Sequence, residues 1–367
     1  MSWVENHKVS SRLAAEAEAA VHGGREDEAA CLYAKAADAE DKALADLDPS
    51  NGRTLGITTV STVSLRLKAA RCVRKDISRA DRFAKAEEVA QAWLARDELP
   101  AFAEDQLRAL LLAIPIGGNM RQYLNRVHEQ AEEQGRPVSE LLFEDYCTRA
   151  GIQWERIREQ HGKTLDYELV VDDQMIIAEV KEITKNKAER ESDQLLRERG
   201  YGEALRGKPG ARVRKKIMDS SPQIKARTAG RHPGFLVLYD DGRIAGHLDR
   251  YHIMTAMYGL EVVHVTVPQD PSARPYATGG SFGPNKKMTN NTTTSISAIG
   301  ALVVTAPDGV IELHVYHNLF AAVPIDPALL ARRGIQQCRI DLDNRRWVEL
   351  RQINGLRPSQ QNRILCP

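Results

Sequence analysis

The hydrophobic period of this chain changes at Gly135, and that change limits the architectures open to it. From about Ser10 to Glu133 apolar residues recur at intervals of three and four in an Ala-, Leu-, Glu-, Arg- and Lys-rich background, the pattern of amphipathic helices. No strand pattern interrupts the run. Turn chemistry breaks it at His22–Gly24, Asp48–Gly52, Asp97–Pro100 and Pro115–Asn119, so four or five helices in antiparallel pairs are expected. Beyond Gly135, Arg136-Pro137 opens a short helix, Val138 to Ala150. Runs of β type follow at Ile152–Arg158, Thr164–Val171, Met175–Ile183, Phe235–Tyr239, Leu260–Val267, Ser297–Thr305 and Val310–Tyr316. The last two read as a hairpin closed by Ala306-Pro307-Asp308-Gly309. A polar, basic, helix-compatible stretch, Thr184 to Arg231, separates the third run from the fourth, and Pro268–Thr294 reads as a long loop.

These textures predict a helical domain over residues 1–135 and an α/β domain over 136–367 with a C-terminal β extension. The length of 367 residues agrees, at roughly 100–200 residues per domain. No apolar run reaches the roughly 18 residues of a membrane helix, and the amino terminus lacks the basic, apolar and small-residue order of a signal peptide. A cytoplasmic protein without membrane contact is expected. The five cysteines are widely spaced and never form CxxC, which suggests neither a disulfide framework nor a zinc ribbon.

Charge is uneven along the chain. Residues 1–135 carry 18 Lys and Arg against 22 Asp and Glu, so the basic excess lies in the second part. It concentrates between Arg206 and Arg231, where nine basic residues face the single acid Asp219. Such a run is either a solvated surface or a footprint for phosphates, which Lys and Arg neutralise with release of counterions.

One constellation carries chemistry. Alternation along Met175–Ile183 puts Glu179 and Lys181 on one face of a strand. Asp166 lies on the preceding run, and a hairpin turning at Asp172-Asp173 brings it beside Glu179. Two carboxylates held together repel, and each is driven toward protonation unless a cation shares the site. A hard divalent ion is the natural occupant, bound by one or two carboxylates plus substrate phosphate. Lys181 would then serve the attacking water or the scissile phosphate, which is phosphodiester hydrolysis. The other candidates are weaker. Thr278-Gly-Gly-Ser-Phe-Gly lacks the GK[ST] of a nucleotide loop, and the spacing of His314 and His317 puts them on opposite faces of a strand.

Two resemblances attach to these residues. Gly24, Ala29, Tyr33 and Ala36 have the spacing of the second half of a tetratricopeptide (TPR) repeat, which implies a TPR-like module that docks a protein partner. The repeat's closing Pro would fall near Asp41, whereas the helix is expected to run on to Pro49; an Ala-rich helical hairpin is the alternative. The segment from about Arg136 to Asp241 resembles the PD-(D/E)xK restriction-endonuclease-like superfamily in its helix, three strands, long helical segment and further strand. By that resemblance Asp166 and Glu179 bind Mg²⁺ or Mn²⁺, the backbone carbonyl of Val180 adds a ligand, and Lys181 serves the nucleophile. Leu165 stands where the family usually has Pro. Phe143-Glu144 resembles the Phe-Glu of the family's first helix, so Glu144 is the acid assigned to assist the metal, with Glu140 and Glu168 as rivals.

The resemblance also places Arg212, Arg214, Lys215, Lys216, Gln223 and Lys225 on a helix beside the scissile phosphate, with Pro222 starting or kinking it. The expectation is a divalent-metal-dependent nuclease in bacterial defence or restriction, acting on DNA in preference to RNA because the family mostly cuts DNA. The alternatives are a non-catalytic nucleic-acid-binding or scaffold protein on a nuclease fold and an enzyme gated by a protein partner. A homo-oligomer is left open.

Overall fold

A computed structural model describes residues 2–48, 50–73, 77–96, 99–114, 120–157, 166–199, 208–240, 248–269, 274–305 and 310–350. The chain divides into two compact units. The first combines Met1–Arg136 with Asp145–Gly151 and Val304–Glu312; the second combines Pro137–Glu144, Ile152–Val303 and Leu313–Pro367.

In the first unit the described residues form α1 (Trp3–His22), α2 (Glu26–Ala45), α3 (Gly52–Cys72), α4 (Ile77–Leu94), α5 (Ala101–Leu112) and α6 (Met120–Gln134). There is one more helix than the turn signals predict, because α3 stops without Gly or Pro: Val73 leaves helical geometry at ψ 139. α1 packs on α2, α2 on α3, and α3 on both α4 and α5. Small side chains make this close packing possible, since Ala17, Ala20, Ala29, Ala36 and Ala37 are fully buried with Tyr33 among them. The α1–α2 turn uses Gly24 at φ 71, a conformation that favours glycine. α2 ends at Ala45, short of Pro49, and Pro49 and Pro115–Asn119 lie outside the described residues.

The second unit is built on an eight-stranded sheet in the order β1-β2-β3-β4-β7-β8-β9-β10. Its strands are β1 (Gln153–Arg156), β2 (Tyr167–Val171), β3 (Gln174–Ile183), β4 (Gly234–Asp240), β7 (Ile296–Thr305), β8 (Val310–His317), β9 (Gln336–Asp341) and β10 (Arg346–Glu349). Strands β1 to β3 form an antiparallel meander, and β4 then runs parallel to β3. The helices are α7 (Val138–Ala150), which belongs to this unit only as far as Glu144, α8 (Lys187–Arg199), α9 (Ala211–Thr228), α10 (Arg250–Tyr258) and α11 (Pro327–Arg332). α9 lies across β3 and β4, burying Val213, Ile217 and Ile224 against Ile177, Ile183 and Leu236. The opposite face carries Tyr167, whose ring packs edge-on against Phe143 of α7 at 5.5 Å between centroids.

Two expectations are corrected and one is narrowed. The stretch Pro268–Thr294 is no plain loop: it contains β6 (Tyr276–Phe282), paired antiparallel with β5 (Glu261–Thr266) as a separate two-stranded ribbon. Of the two roles left to Pro222, starting the helix is excluded and kinking it is not, since it sits inside the 18 residues of α9. Asp166 is a bend residue just ahead of β2, not a residue of the strand. β7 and β8 are sheet neighbours, as a hairpin requires, while its turn at 306–309 lies outside the described residues, as do Arg158, Thr164, Leu165 and Arg206.

Candidate active site

The β2–β3 hairpin turns at Asp172-Asp173, with Val171 opposite Gln174 and Tyr167 opposite Ala178. Continuing that register by one pair puts Asp166 opposite Glu179, which is how a residue outside the ladder reaches the cluster. The bend fixes the Asp166 carboxylate, whose Oδ2 accepts the Val180 backbone N–H at 2.7 Å. Glu179 and Lys181 point to the face covered by α9, with the Lys181 ammonium 2.5 Å from Glu179 Oε1 and 3.9 Å from Asp166 Oδ2. The structure thus brings Asp166, Glu179 and Lys181 together. Val180 contributes its N–H to Asp166.

Solvation separates the members of this cluster. Glu179 is fully buried, and neither of its carboxylate oxygens has a hydrogen-bond partner of acceptable geometry; Lys181 approaches Oε1 as an ion pair, off hydrogen-bond alignment. Lys181 keeps about a third of its side chain exposed, so the cluster opens to solvent through the ammonium. Burial pushes the Glu179 carboxyl up to about 7, with the Asp166 charge adding to the shift and Lys181 opposing it. Asp166 is also raised, chiefly by burial. Burial disfavours the Lys181 ammonium, but Asp166 and Glu179 outweigh it and hold that pKa above the ordinary lysine value.

Two acids of α7 are placed as follows. Glu144 Oε1 accepts the Tyr167 hydroxyl at 2.8 Å, a contact that fixes the helix to the sheet. Glu140, one turn earlier and 6% exposed, is the acid whose charge acts on Asp166, Glu179 and Lys181. It is held by Arg156 of β1, with Nη2 3.1 Å from Glu140 Oε2. The other rival, Glu168, pairs with Arg227 of α9 at 2.6 Å. Among the described residues no three of His, Cys, Asp and Glu form a group placed to hold one ion. Mg²⁺-type ions take one or two carboxylates, and both oxygens of Glu179 are buried.

α9 sorts the basic candidates. Arg212 is tied to its own chain, donating to Glu189 at 2.7 Å and to the Thr184 carbonyl at 3.1 Å. Arg214 donates to the carbonyls of Pro209 at 2.9 Å and Thr255 at 3.2 Å. Both guanidiniums secure α9 against its neighbours. Lys215 and Lys225 are exposed, and Gln223 is half-buried. Lys216 is half-buried: burial lowers its pKa first, and the charge of Lys181 lowers it further. Sequence reasoning missed Arg156, whose only signal is its place on the strand that pairs with Tyr167.

Compared with known proteins, the sequence matches no family model, no curated protein and no solved structure.

Proposed function

We propose that this chain is a divalent-metal-dependent nuclease that hydrolyses phosphodiester bonds, with DNA as the favoured substrate. The observation that carries this reading is Glu179, a fully buried carboxylate whose ammonium partner Lys181 is partly exposed and lies between it and the Asp166 carboxylate. A structural salt bridge is normally satisfied by further hydrogen bonds when it is buried, and this one is not. The succession of α7, β1 to β3, α9 and a β4 parallel to β3 agrees with the PD-(D/E)xK resemblance.

Asp166 and Glu179 would hold Mg²⁺ or Mn²⁺, and the bound ion would neutralise phosphate charge and lower the pKa of its water. Asp166 is oriented for this by the Val180 N–H. Lys181 stays charged beside the two acids and donates to a non-bridging phosphate oxygen or to the attacking water. Lys216 adds positive charge from α9 at the same opening, and Lys215 extends it along the helix. The helical unit is read as the part that docks a protein partner.

Plasmid and single-stranded DNA incubated with Mg²⁺ or Mn²⁺ should be cut, and chelator should stop the reaction. Asp166→Ala, Glu179→Ala and Lys181→Ala should each slow cleavage by about 10²-fold or more, the scale of a lost acid–base or electrostatic group, with unchanged circular dichroism. Cleavage by Lys181→Ala at the wild-type rate would overturn the mechanism.

A further inference from the structure

Among the described residues the ribbon of β5 and β6 pairs with no strand of the eight-stranded sheet. It is anchored at the Glu261–Phe282 end, where Phe282 packs on Tyr258 at 6.0 Å between centroids and Arg345 donates to Glu261 and to the Gly280 carbonyl, both at 3.1 Å. Toward the other end β5 is open to solvent: Val263, Val265 and Val267, which share one face by the strand period, are 57%, 55% and 72% exposed. Gly283 donates its N–H to the Leu260 carbonyl, so by alternation the N–H and C=O groups of Val263 and Val265 turn away from β6. Among the described residues no backbone group outside the ribbon takes them up. A two-stranded ribbon is marginal in water by itself, and natural edge strands are guarded by charged residues, above all Lys, or by Pro. Between Glu261 and Pro268 β5 has no such guard.

We propose that this edge of β5 is the interface with a second copy of the chain, the two β5 strands pairing antiparallel about a two-fold axis at Val265. The charge pattern selects the occupant. β5 holds no Lys or Arg to meet a phosphate backbone, and an uncharged apolar edge is complementary to another of its kind. The same pattern selects the register. Centring on Val265 sets that residue against Val265 of the second copy, Val263 against Val267, His264 against Thr266 and Glu261 against Gln269, so no two charges of one sign meet. Centring on Val263 would press Glu261 against Val265, and centring on His264 would set two imidazoles face to face and Glu261 against Val267. The pairing makes one four-stranded sheet with three valines from each copy on one face, and it does not depend on the nuclease reading.

Sedimentation equilibrium of the full chain should show a dimer at micromolar concentration. Val265→Glu sets two carboxylates against each other at the axis and should raise the dimer Kd at least about 100-fold, with unchanged circular dichroism. Disulfide trapping under oxidised glutathione reads the register, with wild type as the control for the native cysteines. Val265→Cys should cross-link to itself, because opposed residues of a hydrogen-bonded antiparallel pair lie about 5.5 Å apart at Cα, a spacing that a disulfide spans. Val263→Cys and Val267→Cys should cross-link when mixed, in preference to either alone. A monomeric wild type overturns the proposal, and if its binding to duplex DNA with metal withheld then falls in Val265→Glu, the ribbon contacts nucleic acid instead. A dimer that Val265→Glu leaves intact also overturns it, since the interface then lies elsewhere. A dimer in which Val265→Cys fails to cross-link has the same consequence. Should Val265→Glu not fold, the three cysteine variants decide the matter alone.

Discussion

Glu179 ionises in the folded protein only near pH 7, because burial and the neighbouring Asp166 charge oppose its carboxylate more than Lys181 favours it. In the unfolded chain the same group titrates near the ordinary glutamate value of 4.5. Between those limits the folded state holds a proton that the unfolded state has released, so stability falls as pH rises through this window. Above about pH 7 the full penalty applies, on the order of 3 kcal/mol. The raised carboxyl of Asp166 acts in the same direction. The metal-free protein is therefore expected to lose thermal stability from pH 5 to pH 8, and Glu179→Gln to flatten most of that slope; parallel slopes for the two proteins would exclude the effect. Mn²⁺ should restore stability at pH 8 by binding the folded state alone. The triad of Asp166, Glu179 and Lys181 was legible in the sequence because a two-residue hairpin and the strand period of two fix which side chains meet. The contact that Glu144 makes was not, because the Tyr167 hydroxyl it accepts lies 23 residues later in the chain. No helical pattern records that contact.

α9 shows the same limit at the scale of an element. Its composition marks a basic helix, but the division between structural and available cations depends on carbonyls from other segments, Thr184, Pro209 and Thr255, which no charge count can reveal. Two predictions separate the classes. Lys215→Glu with Lys216→Glu should weaken binding to unrelated DNA sequences by a similar factor and flatten the dependence of log K on log salt, by roughly 0.9 per lost phosphate contact. Arg214→Ala should leave that slope unchanged and lower the thermal midpoint, as removal of a charged donor from two carbonyls costs about 1–3 kcal/mol. A slope altered by Arg214→Ala, or untouched by the lysine reversals, would reverse the assignment. α7 was legible to the residue, Val138–Ala150, since its start and its apolar period agree. β6 was hidden because its sequence, YATGGSF, has the turn residues of a loop and almost no buried face: its strand character comes from backbone pairing with β5, itself exposed along most of its length. β9 and β10 were missed for a related reason, being short strands at the far edge of the sheet.

At the scale of the whole molecule, the change of period at Gly135 lies next to Arg136, where the long continuous part of the first unit ends, but that unit is not one continuous segment. It includes Asp145–Gly151 and Val304–Glu312, drawn from beyond the change. The first of these segments closes polar groups that a fragment ending at residue 135 would leave open. Arg149 donates to the carbonyls of Leu111 and Ile114 at the end of α5, at 2.5 and 3.0 Å. Tyr123 of α6 donates its hydroxyl to Asp145 at 3.0 Å. Each is a hydrogen bond with a charged partner, worth about 1.5–3 kcal/mol where it is sheltered from water. The α1 to α4 packing does not depend on them, since the buried alanines with Tyr33 and the cluster around Val63, Phe83 and Leu107 lie within the first 112 residues. Residues 1–135 should therefore fold alone with a helical circular dichroism spectrum, and residues 1–151 should unfold at a higher temperature, the difference arising at α5 and α6. Arg149→Ala in the longer fragment should bring it most of the way back to the shorter one. Hydrogen exchange would locate the effect, with protection lost in 101–112 and 120–134 and kept in α1 to α3. A disordered 1–135 fragment would contradict an independent helical unit, and equal stability of the two fragments would show that Arg149 and Asp145 contribute nothing to it.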